Sequence, residues 1–430
     1  MFGKKFGELL RYTTASLSFW RVINMIKSGV NVVKELDTAM TEMRKVSNDT
    51  EADLESFAKA SHKVAQEIGS TAAVIQNSAA DWMRLGYSIK DASELAKNTS
   101  ILMNVSEFDS IDSATESMVA MVQAFKDSSK DVGELSLDII DKLNNIGNNF
   151  SISTSDLAKS LQRSSGALIA AGNDLDEAIA LTTAANAIIQ DPESTGSALK
   201  VVSMRLRGTS LKELEDAGED TDGAIETVSK LEKKIKQLTA INGQLGISIL
   251  DVNGNYKDTY EILQEIADIW EEIGEADKKD GQNRQAALLE LMAGKVRSQT
   301  LASLLQNPDM LREVYESSKV SEGSAQRENE EYLASIEAHI QILTAKWQEF
   351  WNSAINRDEI NWILDRAGDL LDIAQKIGTI PTLGILIGAV SGVRSLAMPN
   401  NQNLGRDKMP SLIIAESYNV SHGYMSFLVA

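Results

Sequence analysis

The chain contains 430 residues, with no cysteine, three histidines and five prolines, and it carries a formal net charge of −20. A sequence without cysteine excludes disulfides, thiolate nucleophiles and iron–sulfur clusters. So few prolines favour long helices, because a proline inside a helix costs about 3 kcal/mol, and the acidic balance disfavours a general nucleic-acid binder.

Residues 1–48 are predicted to form a basic N-terminal amphipathic helix. Apolar residues recur every three or four positions between Ser16 and Val46, which places them on one face. Residues 1–34 contain six lysines and arginines against one glutamate. This basic start lacks the apolar core and the cleavage site of a secretory signal. We interpret it as a solvated helix face, with contact to an acidic partner or an anionic membrane as the alternative.

Residues 49–208 are predicted to form a helical domain of short hairpins. Glycines stand where helix C-terminal glycines are expected: Gly69, Gly86, Gly147, Gly172 and Gly208. Ser88 with Asp91, and Ser153 with Asp156, have the spacing of N-terminal helix caps. No strand pattern occurs in this part of the sequence.

An internal repeat is visible in the same domain. The segment Gly86–Ala96 aligns with Gly172–Thr182, with glycine, an aliphatic residue, an acidic residue, alanine and leucine in the same places. Two copies are too few for a solenoid. The alignment indicates a duplicated helical domain, and chance similarity between helices rich in alanine and serine is the alternative.

Residues 209–310 are predicted to contain a charged linker, a β-hairpin and further helices. The hairpin is placed near residues 247–257, because Asn253-Gly254 separates two short runs and favours a type I′ turn. The same segment resembles the first half of a calcium loop. However, Tyr256 and Ile262 stand where that loop needs glycine and glutamate, so the hairpin is the favoured interpretation.

Residues 311–377 are predicted to form a coiled-coil pair of helices. Apolar residues alternate steps of three and four over the first helix, which is the spacing of a heptad seam. The candidate seam consists of Leu333, Ile336, Ile340, Leu343, Trp347 and Phe350. After a polar break at Asn356–Asp358 the same spacing resumes from Ile360 to Ile377, which favours an antiparallel pair.

Residues 378–397 are predicted to be an apolar, glycine-rich segment, followed by an irregular tail over residues 398–430. The stretch Ile377–Val393 is uncharged, and Gly384, Gly388 and Gly392 are spaced by four, as in small-residue faces that pack closely in lipid. Its length is at the lower limit for crossing about 30 Å of hydrocarbon. A buried helix-packing face and a membrane segment therefore both stay open.

Three common catalytic motifs are absent from the sequence. There is no P-loop, no His-Glu-x-x-His zinc motif and no Gly-x-Ser-x-Gly elbow. His62 is expected to be exposed and His339 to flank the seam in solvent. We expect no enzyme activity, no catalytic residue, no cofactor and no metal site.

Eight fragments carry a resemblance to a known family, and they follow the family's order. They are Leu36–Val46, Ala80–Gly86, Ser110–Glu116, Leu161–Leu168, Leu181–Asn186, Ser203–Gly208, Glu215–Gly223 and Gln285–Lys295. Ser203–Gly208 is the most specific of them. Together these fragments resemble the core region of the tape measure proteins of long-tailed phages.

The resemblance implies a structural virion protein that is made in the bacterial cytoplasm and lies in the lumen of the tail tube. Such proteins template the polymerisation of the tube and set its length, and they can help DNA cross the host membrane. The implied partners are the tail tube protein, tail assembly chaperones and other copies of the chain. No direct nucleic-acid binding is expected.

Two features depart from the family. The chain is short for a tape measure protein, and the sequence after Met398 does not resemble the family's continuation. We therefore expect a truncated, frame-shifted or prophage-encoded copy. The expected fold is all-α, with helical hairpins, long amphipathic helices and the one small hairpin. The alternative function is that of a membrane-active helical protein, either a pore former or a secreted effector.

Overall fold

Seventeen α-helices and no β-strand occur in the part of the chain that the computed structural model describes, which is residues 16–126, 131–216 and 218–354. The all-α prediction is confirmed for these residues. The helices are α1 Ser16–Val46, α2 Glu51–Ile68, α3 Ala72–Arg84, α4 Ile89–Asn104, α5 Ile111–Ala124, α6 Val132–Asn149, α7 Thr154–Ala170, α8 Leu175–Ile189, α9 Pro192–Leu206, α10 Leu211–Asp216, α11 Val228–Thr239, α12 Thr259–Asp268, α13 Trp270–Asp280, α14 Arg284–Leu305, α15 Pro308–Lys319, α16 Ser324–Leu333 and α17 Ile336–Ala354.

Helix α8 lies at the centre of the fold. Every residue from Ala178 to Asn186 is buried, as expected of a helix that is apolar or small on all sides. It packs against α7 and α9, which precede residue 208, and against α14 and α15, which follow it. One apolar cluster therefore runs without interruption from Met40 in α1 to Ala345 in α17.

Most of the predicted helix ends are confirmed. The backbone at four of the five glycines is left-handed and follows a helix, as only glycine does without strain. The Ser88 and Ser153 hydroxyls accept hydrogen bonds from the backbone N–H groups of Asp91 and Asp156. The prediction for Gly147 is wrong: this glycine lies inside α6, where a Cβ would overlap Oγ1 of Thr154. It permits close approach of α7.

The two copies of the internal repeat share one turn geometry. Gly86 has a φ of 88° and Gly172 a φ of 90°. Each follows the end of a helix and precedes an N-cap by two positions, Ser88 in one copy and Asp174 in the other. The repeated sequence thus encodes the same helix–glycine–helix connection twice.

The predicted β-hairpin is wrong, because no strand forms near residues 247–257. A single antiparallel bridge joins Leu250 and Tyr256 across a five-residue turn. Side chains take the backbone donors that a strand ladder would need: Glu232 accepts from the N–H of Ile249, and the Asp251 carboxylate accepts from Asn253 and Asn255. Such local side-chain bonds compete with regular pairing.

No helix within the described ranges is both long enough and apolar enough to cross a bilayer. The predicted apolar segment Ile377–Val393, the second helix of the coiled-coil pair and the tail after Met398 lie outside the described residues. The division of the chain into the six segments named above stays a prediction.

Candidate functional site

A buried arginine connects three parts of the chain that are distant in sequence. Arg205 lies near the end of α9 and is 2% exposed. Its Nη1 donates to the carbonyl oxygens of Asp222 and Glu290, each at 3.0 Å, and its Nη2 donates to the carbonyl of Asp220. Burial lowers the pKa of Arg205, while the carboxylates of Asp220, Glu219 and Asp222 oppose that shift. The guanidinium remains a cation.

The same arginine supports a kink in α14. The helix is interrupted at Gly294, where φ is 69° and ψ is 175°, so backbone groups on both sides lose their helical partners. Arg205 donates to the freed carbonyl of Glu290, and the Asp220 carboxylate accepts from the N–H of Lys295 at 3.1 Å. A cation therefore faces the end of one half-helix and an anion the start of the next, as the helix dipole favours.

We name this group the arginine junction; it consists of Arg205, Asp220, Asp222, Gly294 and Lys295. The Lys295 ammonium also pairs with the Asp222 carboxylate at 2.9 Å. Three of the eight resembling fragments meet here: Ser203–Gly208, Glu215–Gly223 and Gln285–Lys295. These three fragments, which resemble the family in sequence, therefore contact one another at a single place in the fold.

A second arginine of the same fragment closes the neighbouring turn. Arg207 donates to the carbonyl of Ala171, in the connection between α7 and α8. Its guanidinium lies over the ring of Tyr256, 4.7 Å from the centroid, which is a favourable cation–π distance. Burial lowers the pKa of Arg207, and this is opposed by Tyr256 and Asp258. The turn that replaces the predicted hairpin is thereby held against the central helices.

An acidic group surrounds the start of α8. Glu177 completes a capping box by accepting from the N–H of Asp174 at 2.8 Å. Burial raises the pKa of Glu177 to about 7; the backbone N–H opposes this shift, and the charges of Asp258, Asp174 and Asp176 add to it. Among the described residues, no group of three or more His, Asp or Glu side chains is arranged to hold a metal ion.

Four of the six candidate seam residues are exposed, while Leu333 and Trp347 are partly buried. Leu333 ends α16, and the Ser335 hydroxyl accepts from Ala338 at the start of α17, so the seam is split between two helices. On α17, the exposed fraction is 81% for Ile336, 62% for Leu343, 53% for Phe350 and 38% for Ile340, and Trp347 is half-buried. The core-facing residues are instead Ala338, Ala345, Gln348 and Trp351.

The opposite side of α17 is anchored to the first helices. The Gln348 amide oxygen accepts from the N–H of Ala72 at 2.9 Å. The Trp351 ring lies so close to Gly29 that a Cβ there would overlap it.

His62 is buried beside Asn352, so the expectation that His62 is exposed is wrong. Burial lowers the pKa of His62. His339 is exposed, as expected. The other candidate residues, Gly384, Gly388 and Gly392, lie outside the described residues.

A comparison with models of protein families assigns the chain to one family. The model of the phage-related minor tail protein family matches residues 58–292, more than half of the sequence. The chain belongs to this family. No solved structure matches it. A structural role in a phage tail follows, and a phage tail protein is expected to contact other tail components.

The residues that match the family correspond to a defined set of helices. It begins within α2 and ends in α14, two residues before the kink at Gly294. The minor tail protein match therefore contains α8 and most of the arginine junction. Helices α15, α16 and α17 lie beyond it and fold back onto it.

A polar contact fastens these later helices to the family region. The Asp141 carboxylate of α6, which is buried, accepts from the N–H groups of Gly323 and Ala325 at 2.8 and 2.9 Å. The side chain of Asn144 donates to Glu328 and accepts from the Ser324 hydroxyl, each at 2.6 Å. We name Asp141, Lys142, Asn144, Asn145 and Asn148 the α6 clasp. Its members all bond to α15, α16 or the connection between them.

Sequence reasoning missed both the arginine junction and the α6 clasp. The polar residues of the clasp are visible in the sequence, but they share their face with Glu134 and Asp138, a pattern typical of a solvated surface. Only the fold shows that Asp141, Lys142 and Asn144 are buried and bonded, as buried polar side chains are in native structures. The junction had no signal in the sequence, because its acceptors are backbone carbonyls of distant residues.

Proposed function

We propose that this minor tail protein is a tape measure that templates the tail tube and sets the length of the tail. The family match over residues 58–292 is the observation that carries the proposal. The order of the eight resembling fragments and the all-helical described chain support it. Short polar connections join the helices, and an extended arrangement inside a tube would require the packed hairpins to open at these connections.

Changing the length of the chain tests this proposal. Three tandem copies of the 19-residue α17, inserted after Ala354 in the encoding phage, should lengthen the tail by about 85 Å at roughly 1.5 Å per residue. A variant in which α17 is scrambled at constant length is the matched control and should keep the original tail length. Micrographs of purified tails give both lengths. Tails that stay unchanged after the insertion would contradict a ruler.

We propose the tail tube protein, the tail assembly chaperones and further copies of the chain as its partners, and no enzymatic role. Co-purification from infected cells tests the first part. A peptidoglycan-clearing assay tests the second, and clearing by the purified chain would contradict it.

A second candidate function, contact with the host membrane during genome delivery, draws on a different surface. Helix α11 exposes Lys230, Lys233 and Lys234, in a chain that is acidic overall. Two fully exposed aliphatic side chains, Leu245 and Val252, lie in the segment that packs against this helix. Lysines attract anionic lipid, at about 1 kcal/mol each, and exposed aliphatic side chains add apolar contact.

Vesicle flotation separates this function from a purely structural one. The purified chain should float with vesicles that contain phosphatidylserine, and Lys233→Glu with Lys234→Glu should abolish flotation. The matched control is Lys278→Glu with Lys279→Glu, at two exposed lysines near the end of α13, and it should still float. Equal flotation of both double variants would contradict a site on α11.

A further inference from the structure

The segment between α11 and α12 contains both Asn-Gly pairs of the sequence, Asn242-Gly243 and Asn253-Gly254. In such a pair the backbone nitrogen of the glycine can attack the side-chain amide of the asparagine, because glycine has no Cβ to obstruct the approach. All four residues are exposed. The hydrogen bonds around the two glycine nitrogens differ, and we expect this difference to separate the two pairs in reactivity.

Asn242 and Gly243 occupy the two central positions of an exposed turn. The backbone is left-handed at both, with φ of 51° and 78°. The N–H of Gln244 donates to the carbonyl of Ile241 at 2.8 Å, which completes the pattern of a type I′ turn. The N–H of Gly243 donates to no acceptor among the described residues. This nitrogen is therefore free to react.

Asn253 and Gly254 lie in a turn whose N–H groups are engaged. The N–H of Gly254 donates to the carbonyl of Asp251 at 3.1 Å. The Asp251 carboxylate accepts from the N–H groups of Asn253 and Asn255, each at 2.8 Å. A glycine nitrogen must lose its proton before it attacks, so this pair reacts only after the turn opens. Opening one hydrogen bond of ordinary net strength slows the reaction by about tenfold.

We propose that Asn242 is a site of deamidation, whereas Asn253 is protected by its turn. The Gly243 nitrogen loses its proton to a base in the solvent and forms a bond to Cγ of Asn242. The bond from Cγ to Nδ2 breaks, and ammonia leaves. Water then adds to one of the two carbonyl carbons of the succinimide ring, which opens to aspartate or isoaspartate. Water is the only co-reactant, and no electron is transferred.

Deamidation changes the charge of the surface beside α11. The new carboxylate stands three residues after the end of this helix, where the helix dipole disfavours an anion. Ala240 and Gln244, which flank Asn242, line a groove together with Lys233 and Lys236. The modified chain therefore has a less positive surface next to this groove. The inference does not depend on the proposed function.

Peptide mass spectrometry tests the site with an internal control. Trypsin releases residues 237–257 as one peptide, and its fragmentation locates the change at Asn242 or at Asn253. When the folded full chain is incubated at mildly alkaline pH, Asn242 should be converted about tenfold faster than Asn253. In concentrated urea, which removes both turns, the two rates should be similar. Equal rates in the folded chain, or no conversion of Asn242, would overturn the proposal.

Asp251→Ala tests the protection of Asn253. The substitution removes the side-chain acceptor of the Asn253 and Asn255 N–H groups, so conversion of Asn253 should rise several-fold while conversion of Asn242 stays the same. Asp109→Ala, at an exposed residue outside this segment, is the matched control and should change neither rate. Circular dichroism verifies that both variants keep their helices. If Asn253 of the Asp251→Ala chain reacts as slowly as in the wild type, the turn is not what protects it.

Discussion

At the scale of single residues, Arg205 connects three segments, which are α9, the loop at Asp220–Asp222 and α14. Arg205→Met keeps much of the side-chain volume but removes the guanidinium donor from the partly buried carbonyl oxygens of Asp222 and Glu290. An unsatisfied polar group in the interior costs about 1–3 kcal/mol. We therefore expect the free energy of unfolding, measured by urea denaturation, to fall by about 1–3 kcal/mol.

The matched control for this change is Arg163→Met. Arg163 pairs with Glu193 at 2.7 Å, but both side chains are exposed, and exposed pairs contribute about 0–1 kcal/mol. The effect at Arg205 should be several times larger. Equal effects of the two substitutions would contradict a structural role for the junction.

Glu177 should make stability depend on pH near neutrality. Burial raises its pKa from an ordinary value of 4.5 to about 7 in the folded chain, so the folded state binds the proton more tightly than the unfolded state does. The resulting stabilisation is fully present below about pH 4.5 and is lost as the pH rises through 7. Urea denaturation between these values should show a decline in unfolding free energy that Glu177→Gln reduces.

The control is Glu213→Gln, because Glu213 also accepts from a backbone N–H three residues earlier but is exposed. It should keep the pH dependence of the wild type. A Glu177→Gln variant with an unaltered pH slope would show that the decline comes from other groups.

At the scale of helices, the α6 clasp determines how α16 begins. Gly323 provides no side chain to cap this helix, and the Asp141 carboxylate of α6 takes that role across space. Asp141→Asn places an amide with two donors against two backbone donors. We expect a loss of about 1–3 kcal/mol in the protection of α16, measured by hydrogen exchange of peptides from 324–333. Glu134→Gln, on the exposed side of α6, should leave that protection unchanged.

The sequence predicted the bounds of the helices better than it predicted which face of each helix is buried. Helix α1 begins at Ser16 and ends at Val46 as predicted, because periodicity and capping are local properties. The hairpin failed because Glu232, fifteen or more residues away, takes a donor that the ladder needed. Of the six candidate seam residues, Leu333 lies on α16 and the other five lie on α17. The direction in which α17 turns this face depends on contacts of Gln348 and Trp351 with α3 and α1, which no local pattern contains.

The candidate site was likewise predictable from the sequence only in part. The fragment Ser203–Gly208 was singled out from resemblance, but its physical reason, the donation by Arg205 to carbonyls of distant segments, appears only in the fold. The α6 clasp likewise joins α6 to residues more than 170 positions later. Long-range polar contacts of this kind follow from topology, which sequence periodicity does not specify.

For the whole molecule, the continuous apolar cluster implies cooperative unfolding. Helix α8 is buried between α7 and α9 on one side of the predicted boundary at residue 208, and α14 and α15 on the other. Neither half could lose its packing without exposing α8. Hydrogen exchange at increasing urea should therefore give α3, α8 and α14 a common free energy of opening. If α14 opened well before α3, residues 49–208 and 209–310 would unfold separately, and the predicted domain boundary would describe the energetics better than the shared core does.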